Sequence, residues 1–92
     1  MTKLTEAQIS ERLTGLNGWA FEGGAITRTF TLKDFTMALT FVGAVGYLAE
    51  AAGHHPDIII NYNRVKLALS THDAGGITEY DFALAAQINT LP

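Results

Sequence analysis

Apolar residues recur at helical spacing in three stretches of this chain, and the stretches between them have the shorter period of β-strands. In the first stretch Ile9 and Leu13 lie four positions apart, which predicts a helix with one apolar face. Thr5 and Gln8 stand before it with the spacing of a capping box. We expect this helix to make about three turns and to end within residues 15–18, where glycines occur.

The next stretch has the period-two pattern of β-strands around a glycine pair. Residues 25–32 alternate threonines with apolar or long side chains, and this composition favours a strand. Gly23-Gly24 separates them from the shorter segment 19–22, and a glycine pair is typical of a hairpin turn. The pattern therefore predicts two antiparallel strands.

A long and almost uncharged helix is predicted over residues 35–52. Asp34 precedes it as an N-cap, and Gly53 follows it as a terminator. Glu50 is the only charged residue within it. Its apolar side chains cover an arc of about 220°, which is wider than one core-facing stripe requires. We therefore expect burial on two sides, against the sheet and against a partner subunit.

A second hairpin is predicted from two apolar segments, residues 58–60 and 65–71, which are joined by the polar turn 61–64. In the longer segment the odd-numbered side chains, from Val65 to Thr71, are expected to share one face of the sheet. The glycines at positions 75 and 76 then interrupt the pattern.

The last predicted element is a helix, and it completes the order α-β-β-α-β-β-α. Thr78 and Asp81 have capping-box spacing, and Phe82 begins the apolar face behind them. Two hairpins and three helices indicate a single α+β domain over residues 1–92, with a four-stranded antiparallel sheet and the three helices on one of its faces. The other face or the sheet edge needs a partner, so we expect a homo-oligomer.

Composition excludes several classes of protein. Of the 92 residues, 48% are hydrophobic and 16% charged, which is too apolar for a disordered chain. The net charge is −3 and the six basic residues are scattered, so direct nucleic-acid binding is not expected. No apolar run reaches the roughly 20 residues of a membrane span, and a secretory signal is not evident. The absence of cysteine excludes thiolate chemistry and disulfides. These features indicate a cytoplasmic protein.

The candidate chemistry lies in one part of the chain. All three histidines, His54, His55 and His72, fall between the second helix and the start of the last one. Glu50 precedes His54 by one helical turn, and Asp81 lies in the first turn of the last helix. If the end of the second helix and the end of the last strand converge, these five side chains share one pocket.

Each residue also has a purely structural explanation, and a metal site is a further alternative. The helix dipole favours a histidine after a helix C-terminus, and a capping box explains Asp81. Three histidines and a carboxylate suit zinc or iron, although adjacent His54 and His55 rarely reach one ion. Imidazole titrates at about pH 6.5 and both gives and takes protons near neutrality, so metal-free acid–base chemistry such as a dehydration is also indicated.

At these positions the sequence resembles the pterin-4a-carbinolamine dehydratases. The pattern of that family is an acidic residue, three spacers, His-His-Pro, a short gap, an aromatic residue, nine spacers, a histidine, a further gap and an aspartate. It is filled here, without departure, by Glu50, His54-His55-Pro56, Tyr62, His72 and Asp81. The predicted order of elements also agrees with the family over nearly the whole chain.

The resemblance implies a dehydratase, a hydro-lyase of tetrahydrobiopterin recycling, which removes water from a 4a-hydroxytetrahydropterin to give the quinonoid dihydropterin without metal or organic cofactor. It implies that the catalytic residues are Glu50, His54, His55, His72 and Asp81. In this hypothesis His54 and His72 exchange the acid and base roles, and His55 binds the pterin. Tyr62 and Trp19 are expected to contact the pterin ring.

Two other functions stay open. Animal members of the family also act as dimerisation cofactors of a homeodomain transcription factor through helix surfaces, so this chain is alternatively a protein-interaction module. A metal-dependent enzyme that uses the histidine cluster is the third possibility. We expect a pterin as the small-molecule partner, a homodimer or homotetramer as the assembly, and neither nucleic acid nor a membrane as a direct partner.

Overall fold

The computed structural model describes residues 2–92 and contains the predicted order of helices and strands. Three helices pack on one face of a four-stranded antiparallel sheet, and the α+β prediction is confirmed. The elements are α1 (Glu6–Leu13), β1 (Ala20–Glu22), β2 (Ala25–Thr31), α2 (Phe35–Ala52), β3 (Asp57–Asn61), β4 (Arg64–Leu69), a short 3-10 helix (His72–Ala74) and α3 (Glu79–Asn89).

Side-chain caps fix where the helices begin. Thr5 and Gln8 form the predicted capping box of α1, and Thr78 and Asp81 form that of α3. The Asp34 side chain accepts a hydrogen bond from the Met37 amide at the start of α2. Each cap accepts bonds from amide groups that have no partner within the first turn.

Helix α1 is shorter than predicted, with eight residues instead of about three turns. After Leu13 the chain tightens, because the amides of residues 14–16 bond to carbonyls three positions back instead of four. Strand β4 is also shorter than the predicted segment and ends at Leu69. Thr71 leaves the ladder because it pairs with Gly76 instead, in an isolated bridge.

The strand order is β1-β2-β4-β3, so the two hairpins meet at the β2–β4 ladder and β3 lies at an edge. The register sets Ile26 opposite Leu69 and Phe30 opposite Val65. Because alternate residues point to opposite faces, these side chains share the helix-facing side. Ile26, Leu69 and Val65 belong to the core, and the partly buried Phe30 packs against it. The prediction that odd positions of β4 share a buried face is confirmed.

The other face of the sheet is polar and open. Glu22 on β1 accepts hydrogen bonds from Lys66 at 3.1 Å and from Thr27 at 2.9 Å. These bonds from Lys66 and Thr27 lower the pKa of Glu22. Ile59 of β3 also lies on this face and is 60% exposed, so an apolar side chain interrupts the polar surface at the sheet edge.

Helix α2 has more apolar surface than the core uses. One side is buried through Ala38, Phe41, Val45 and Ala49. The rest exposes large apolar side chains, which are Phe35, Met37, Leu39 and Tyr47. By length and composition alone α2 is apolar enough to cross a membrane, a test that the core helix of a globular domain also passes. The structure supports burial against the sheet, and the exposed side is free for a partner.

Candidate active site

An open cavity of about 470 Å³ lies where the end of α2, the end of β4 and the start of α3 converge. This convergence was the condition for a shared pocket in the sequence analysis, and Glu50 and Asp81 are not among the residues that line the cavity. All three histidines line this cavity, which we call the histidine pocket. Its walls are Ala52, Gly53, His54, His55, Ser70, Thr71, His72, Asp73 and Tyr80.

The end of α2 directs His54 towards α3. Gly53 takes the left-handed conformation with φ 64°, which suits glycine as a helix terminator, and turns the chain away from the helix axis. The His54 amide still bonds to the Ala49 carbonyl at 3.0 Å, so the first residue after the turn remains tied to the helix. Pro56 then directs the chain along the extended path into β3.

His54 is paired with a buried carboxylate. Its Nε2 atom lies 2.5 Å from Oδ1 of Asp81. The Asp81 side chain has no solvent exposure and that of His54 has 15%. Burial of a carboxylate is costly unless it is hydrogen-bonded, and this pairing also orients the imidazole at the pocket wall. The sequence analysis placed Asp81 near the histidines without pairing it with one of them, and the structure pairs it with His54.

The second oxygen of Asp81 is bonded within the protein. Its Oδ2 accepts hydrogen bonds from the Thr78 amide at 2.9 Å and the Thr71 hydroxyl at 2.8 Å. The first is the capping-box bond that starts α3. Asp81 therefore caps a helix and holds a histidine at the same time, so its structural explanation and its functional one are compatible.

His55 and His72 complete the group of imidazoles. His55 is solvent-exposed, and its Nε2 lies 2.7 Å from Oε1 of Glu50, which is also exposed. His72 directly follows the predicted strand segment 65–71, but in the structure it begins the 3-10 helix, because the Thr71–Gly76 bridge turns the chain before it. Its side chain still lines the histidine pocket.

Two aromatic residues predicted to contact a ligand lie away from the histidine pocket. Tyr62 is in the β3–β4 turn, with φ 55° and 65% exposure. This turn is at the end of β3 opposite to His55, a separation of roughly 17 Å for a five-residue strand. Trp19 is 6% exposed in the core, where its Nε1 donates to Asn89 and its ring edge meets Phe30.

Tyr80 is an aromatic wall that the sequence pattern did not single out. Its ring centroid lies 6.3 Å from that of His54, and its side chain is largely exposed. The one available signal was its position directly before Asp81 in the first turn of α3.

The arrangement suits proton transfer to a flat, polar ligand. Three imidazoles surround one cavity, and one of them is fixed by a buried carboxylate. Within residues 2–92, no group of three or more histidine, aspartate or glutamate side chains is arranged to hold a metal ion.

Comparison with known proteins gives one family. The family model described as Pterin 4 alpha carbinolamine dehydratase matches residues 2–91. A protein of Chloroflexus aurantiacus named "Putative pterin-4-alpha-carbinolamine dehydratase" is 58% identical over 91 residues, covering 99% of this chain and 98% of its own length. A protein of the same name from Sulfurisphaera tokodaii is 46% identical, with 99% and 98% covered.

Two solved structures have a similar fold. The crystal structure of a protein described as a transcriptional coactivator/pterin dehydratase, from Brucella melitensis, has a TM-score of 0.90 and 41% identity, and 96% of each chain is covered. A pterin dehydratase-like protein, described as a RuBisCO assembly factor in the alpha-carboxysome, has a TM-score of 0.63. Its identity is 21% over 77% of this chain and 82% of its own, so that likeness concerns the fold alone.

Proposed function

This chain belongs to the pterin carbinolamine dehydratase family, and we propose that it removes water from a 4a-hydroxytetrahydropterin to give the quinonoid dihydropterin. The observation that carries the proposal is the pair of His54 with buried Asp81 at the wall of a pocket shared with two further imidazoles. Such a pocket supplies a proton donor and a proton acceptor within one cavity.

The proposed step is an elimination with balanced proton transfers. A protonated imidazole gives its proton to the C4a hydroxyl, and the lone pair of the adjacent ring nitrogen expels water as the C4a–O bond breaks. A neutral imidazole takes the proton from that ring nitrogen, which leaves the quinonoid product. We assign these two exchangeable roles to His54 and His72, and ligand orientation to His55 with Glu50. No metal or organic cofactor takes part in this proposal.

The direct test is the absorbance decay of 4a-hydroxytetrahydropterin in a stopped-flow instrument, with chelator-treated protein. We expect the decay to be faster with wild-type protein than with buffer, by about 100-fold or more at saturating enzyme, since positioned acid–base groups contribute effects of this size. Folded protein that leaves the buffer rate unchanged contradicts the dehydratase proposal. Activity that appears only after zinc or iron is added supports the metal-dependent alternative.

We also propose that the protein is a cytoplasmic homo-oligomer that pairs through β3. This edge strand exposes three isoleucines in a row, Ile58, Ile59 and Ile60. Asn61 and Arg64 close the hairpin as a bonded pair. Because bonded and non-bonded pairs alternate, the backbone groups of Ile58 and Ile60 point away from β4, towards the open edge, where a second β3 can pair.

Pairing of this kind gives Tyr62 a place in the proposed site. Two β3 strands around a twofold axis run antiparallel, so each strand's end lies beside the other strand's start. His55 precedes β3 and Tyr62 follows it. Tyr62 of the partner subunit then lies close to the histidine pocket of this chain, which is the contact that a ring-binding aromatic requires.

Ile58→Pro is expected to separate the subunits at this edge. Proline lacks the backbone N–H, and at position 58 that group points to the open edge of the sheet, so the β3–β4 ladder keeps its hydrogen bonds. Ile58→Ala is the matched control, because it shortens the same side chain and keeps the amide. Sedimentation equilibrium should show that the mass of Ile58→Pro is half the wild-type mass or less, and that Ile58→Ala keeps the wild-type mass. Equal masses for both variants contradict pairing through β3.

A protein-interaction role is the second candidate function. The exposed apolar side chains of α2 support it, and the Brucella melitensis protein with the similar structure is described as a transcriptional coactivator as well as a pterin dehydratase. Histidine variants distinguish the enzymatic role from the protein-interaction role. Substitutions at His54 or His72 that abolish dehydration and leave the assembly mass unchanged support the enzyme as the function of the pocket.

A further inference from the structure

A chain of hydrogen bonds leads from the backbone of α3 through two threonine hydroxyls to the carboxylate of Asp81. The Tyr80 amide donates to Thr78 Oγ1 at 3.3 Å. The hydroxyls of Thr78 and Thr71 lie 2.7 Å apart, and that of Thr71 lies 2.8 Å from Oδ2 of Asp81. Thr71 is 5% exposed and Thr78 1%, so these bonds are shielded from water.

The directions of these bonds follow from the chemistry of the groups. An ionised carboxylate only accepts hydrogen bonds, so the single hydroxyl proton of Thr71 points to Asp81. Thr71 Oγ1 therefore accepts from Thr78, whose own oxygen accepts from the Tyr80 amide. All the protons point towards Asp81, and bonds aligned in this way in a buried site reinforce one another.

We propose that Thr71 is a positioning residue of the site and that its hydroxyl locks Asp81 in the orientation that serves His54. The inference deepens the proposed function and rests on it. One oxygen of Asp81 is fixed by the Thr71 hydroxyl and the Thr78 amide, so the other is left facing Nε2 of His54. Without this lock the carboxylate turns, and the imidazole loses its fixed direction at the pocket wall.

The position of Thr71 in the chain couples two parts of the pocket. Thr71 directly precedes His72. Its amide donates a hydrogen bond to the Gly76 carbonyl at 2.8 Å, and the Gly76 amide donates to the Thr71 carbonyl at 3.3 Å. The same residue therefore holds the turn that presents His72 and the carboxylate that holds His54. Its backbone role and its hydroxyl role involve different atoms, so a substitution can separate them.

Thr71→Val is the substitution that removes the hydroxyl and keeps the branched shape and both backbone bonds. We expect kcat to fall about tenfold or more, because a hydrogen bond to a charged group is lost, while KM stays within about twofold. Thr71→Ser restores the hydroxyl and should return kcat to within about threefold of wild type. If Thr71 had only a structural role, serine would not restore kcat alone.

Thr27→Val provides the matched control. Like Thr71, Thr27 is a buried threonine whose hydroxyl donates to a carboxylate, here that of Glu22 on the open face of the sheet. Thermal unfolding by circular dichroism measures the stability that each valine variant loses, and only Thr71→Val should lose kcat. Wild-type kcat in Thr71→Val, or an equal loss of kcat in Thr27→Val, overturns the inference.

A second readout does not depend on turnover. The proton on Nε2 of His54, bonded to a buried carboxylate, gives a downfield signal in the proton NMR spectrum. We expect that signal in wild type and in Thr27→Val, and its broadening or loss in Thr71→Val. If wild type shows the signal but does not catalyse dehydration, the proposed function fails. The signal in Thr71→Val then still tests whether Thr71 positions Asp81. An unchanged signal in Thr71→Val overturns the positioning role.

Discussion

His54→Ala is expected to lower kcat for dehydration by about 100- to 10,000-fold, the range that one positioned acid–base group contributes. The substitution removes one of the two imidazoles to which we assign proton transfer. It also leaves a buried carboxylate without its partner, since Asp81 has no solvent exposure. The stopped-flow decay of the hydroxypterin measures the first effect, and urea unfolding measures the second.

His54→Gln separates the two effects. The glutamine amide reaches far enough to donate to Asp81, and it does not titrate near neutral pH. We expect His54→Gln to recover most of the stability that His54→Ala loses and to remain as inactive. Turnover within about threefold of wild type in a folded His54→Gln protein contradicts acid–base catalysis by His54.

Asp81→Asn is expected to have the second largest effect, with kcat lower by about 100-fold or more. The carboxylate accepts on both oxygens, from His54 on one side and from Thr71 and Thr78 on the other. An asparagine has only one oxygen, so its amide group faces a donor on one side or the other. If the amide group faces His54, the imidazole takes the wrong tautomer. If it faces Thr71 and Thr78, the hydrogen bonds that fix the side chain are lost.

The same substitution should lower the free energy of unfolding by about 1 to 3 kcal/mol, the cost of one buried group left unsatisfied. Asp34→Asn is the matched control, because Asp34 caps α2 through one bond and asparagine caps helices equally well. Calorimetry and steady-state kinetics on both variants make the comparison. Full activity in Asp81→Asn argues against an oriented His54 as part of the mechanism.

Local signals were sufficient to predict most of the fold. Capping boxes at Thr5 and Thr78, the terminator Gly53 and the two apolar periods each depend on neighbours within a few residues. The errors concern the ends of elements. Helix α1 ends early because its last amides bond three residues back, and β4 ends early because Thr71 pairs with Gly76. Neither competing bond leaves a pattern in the apolar positions.

The candidate site was predictable in part for the same reason. His54 and Asp81 each stand at a helix terminus, and the order of elements brings those termini together. The positions of Trp19 and Tyr62 depend instead on which face and which end of the sheet they reach, and composition does not determine that. The hydrogen-bonded threonines were also beyond sequence reasoning, because a buried hydroxyl and a surface one look alike in a sequence.

The burial of Trp19 has a practical consequence. It is the only tryptophan in the chain, and it packs against the end of α3 opposite to the one that carries Asp81. Asp81 and Asn89 are eight residues apart in this helix, roughly 12 Å along its axis. The tryptophan fluorescence of the protein therefore comes from one buried, hydrogen-bonded indole that lies away from the histidines. Its emission maximum shifts when the core unfolds. The same tryptophan therefore shows whether each histidine or threonine variant is folded, without an added probe.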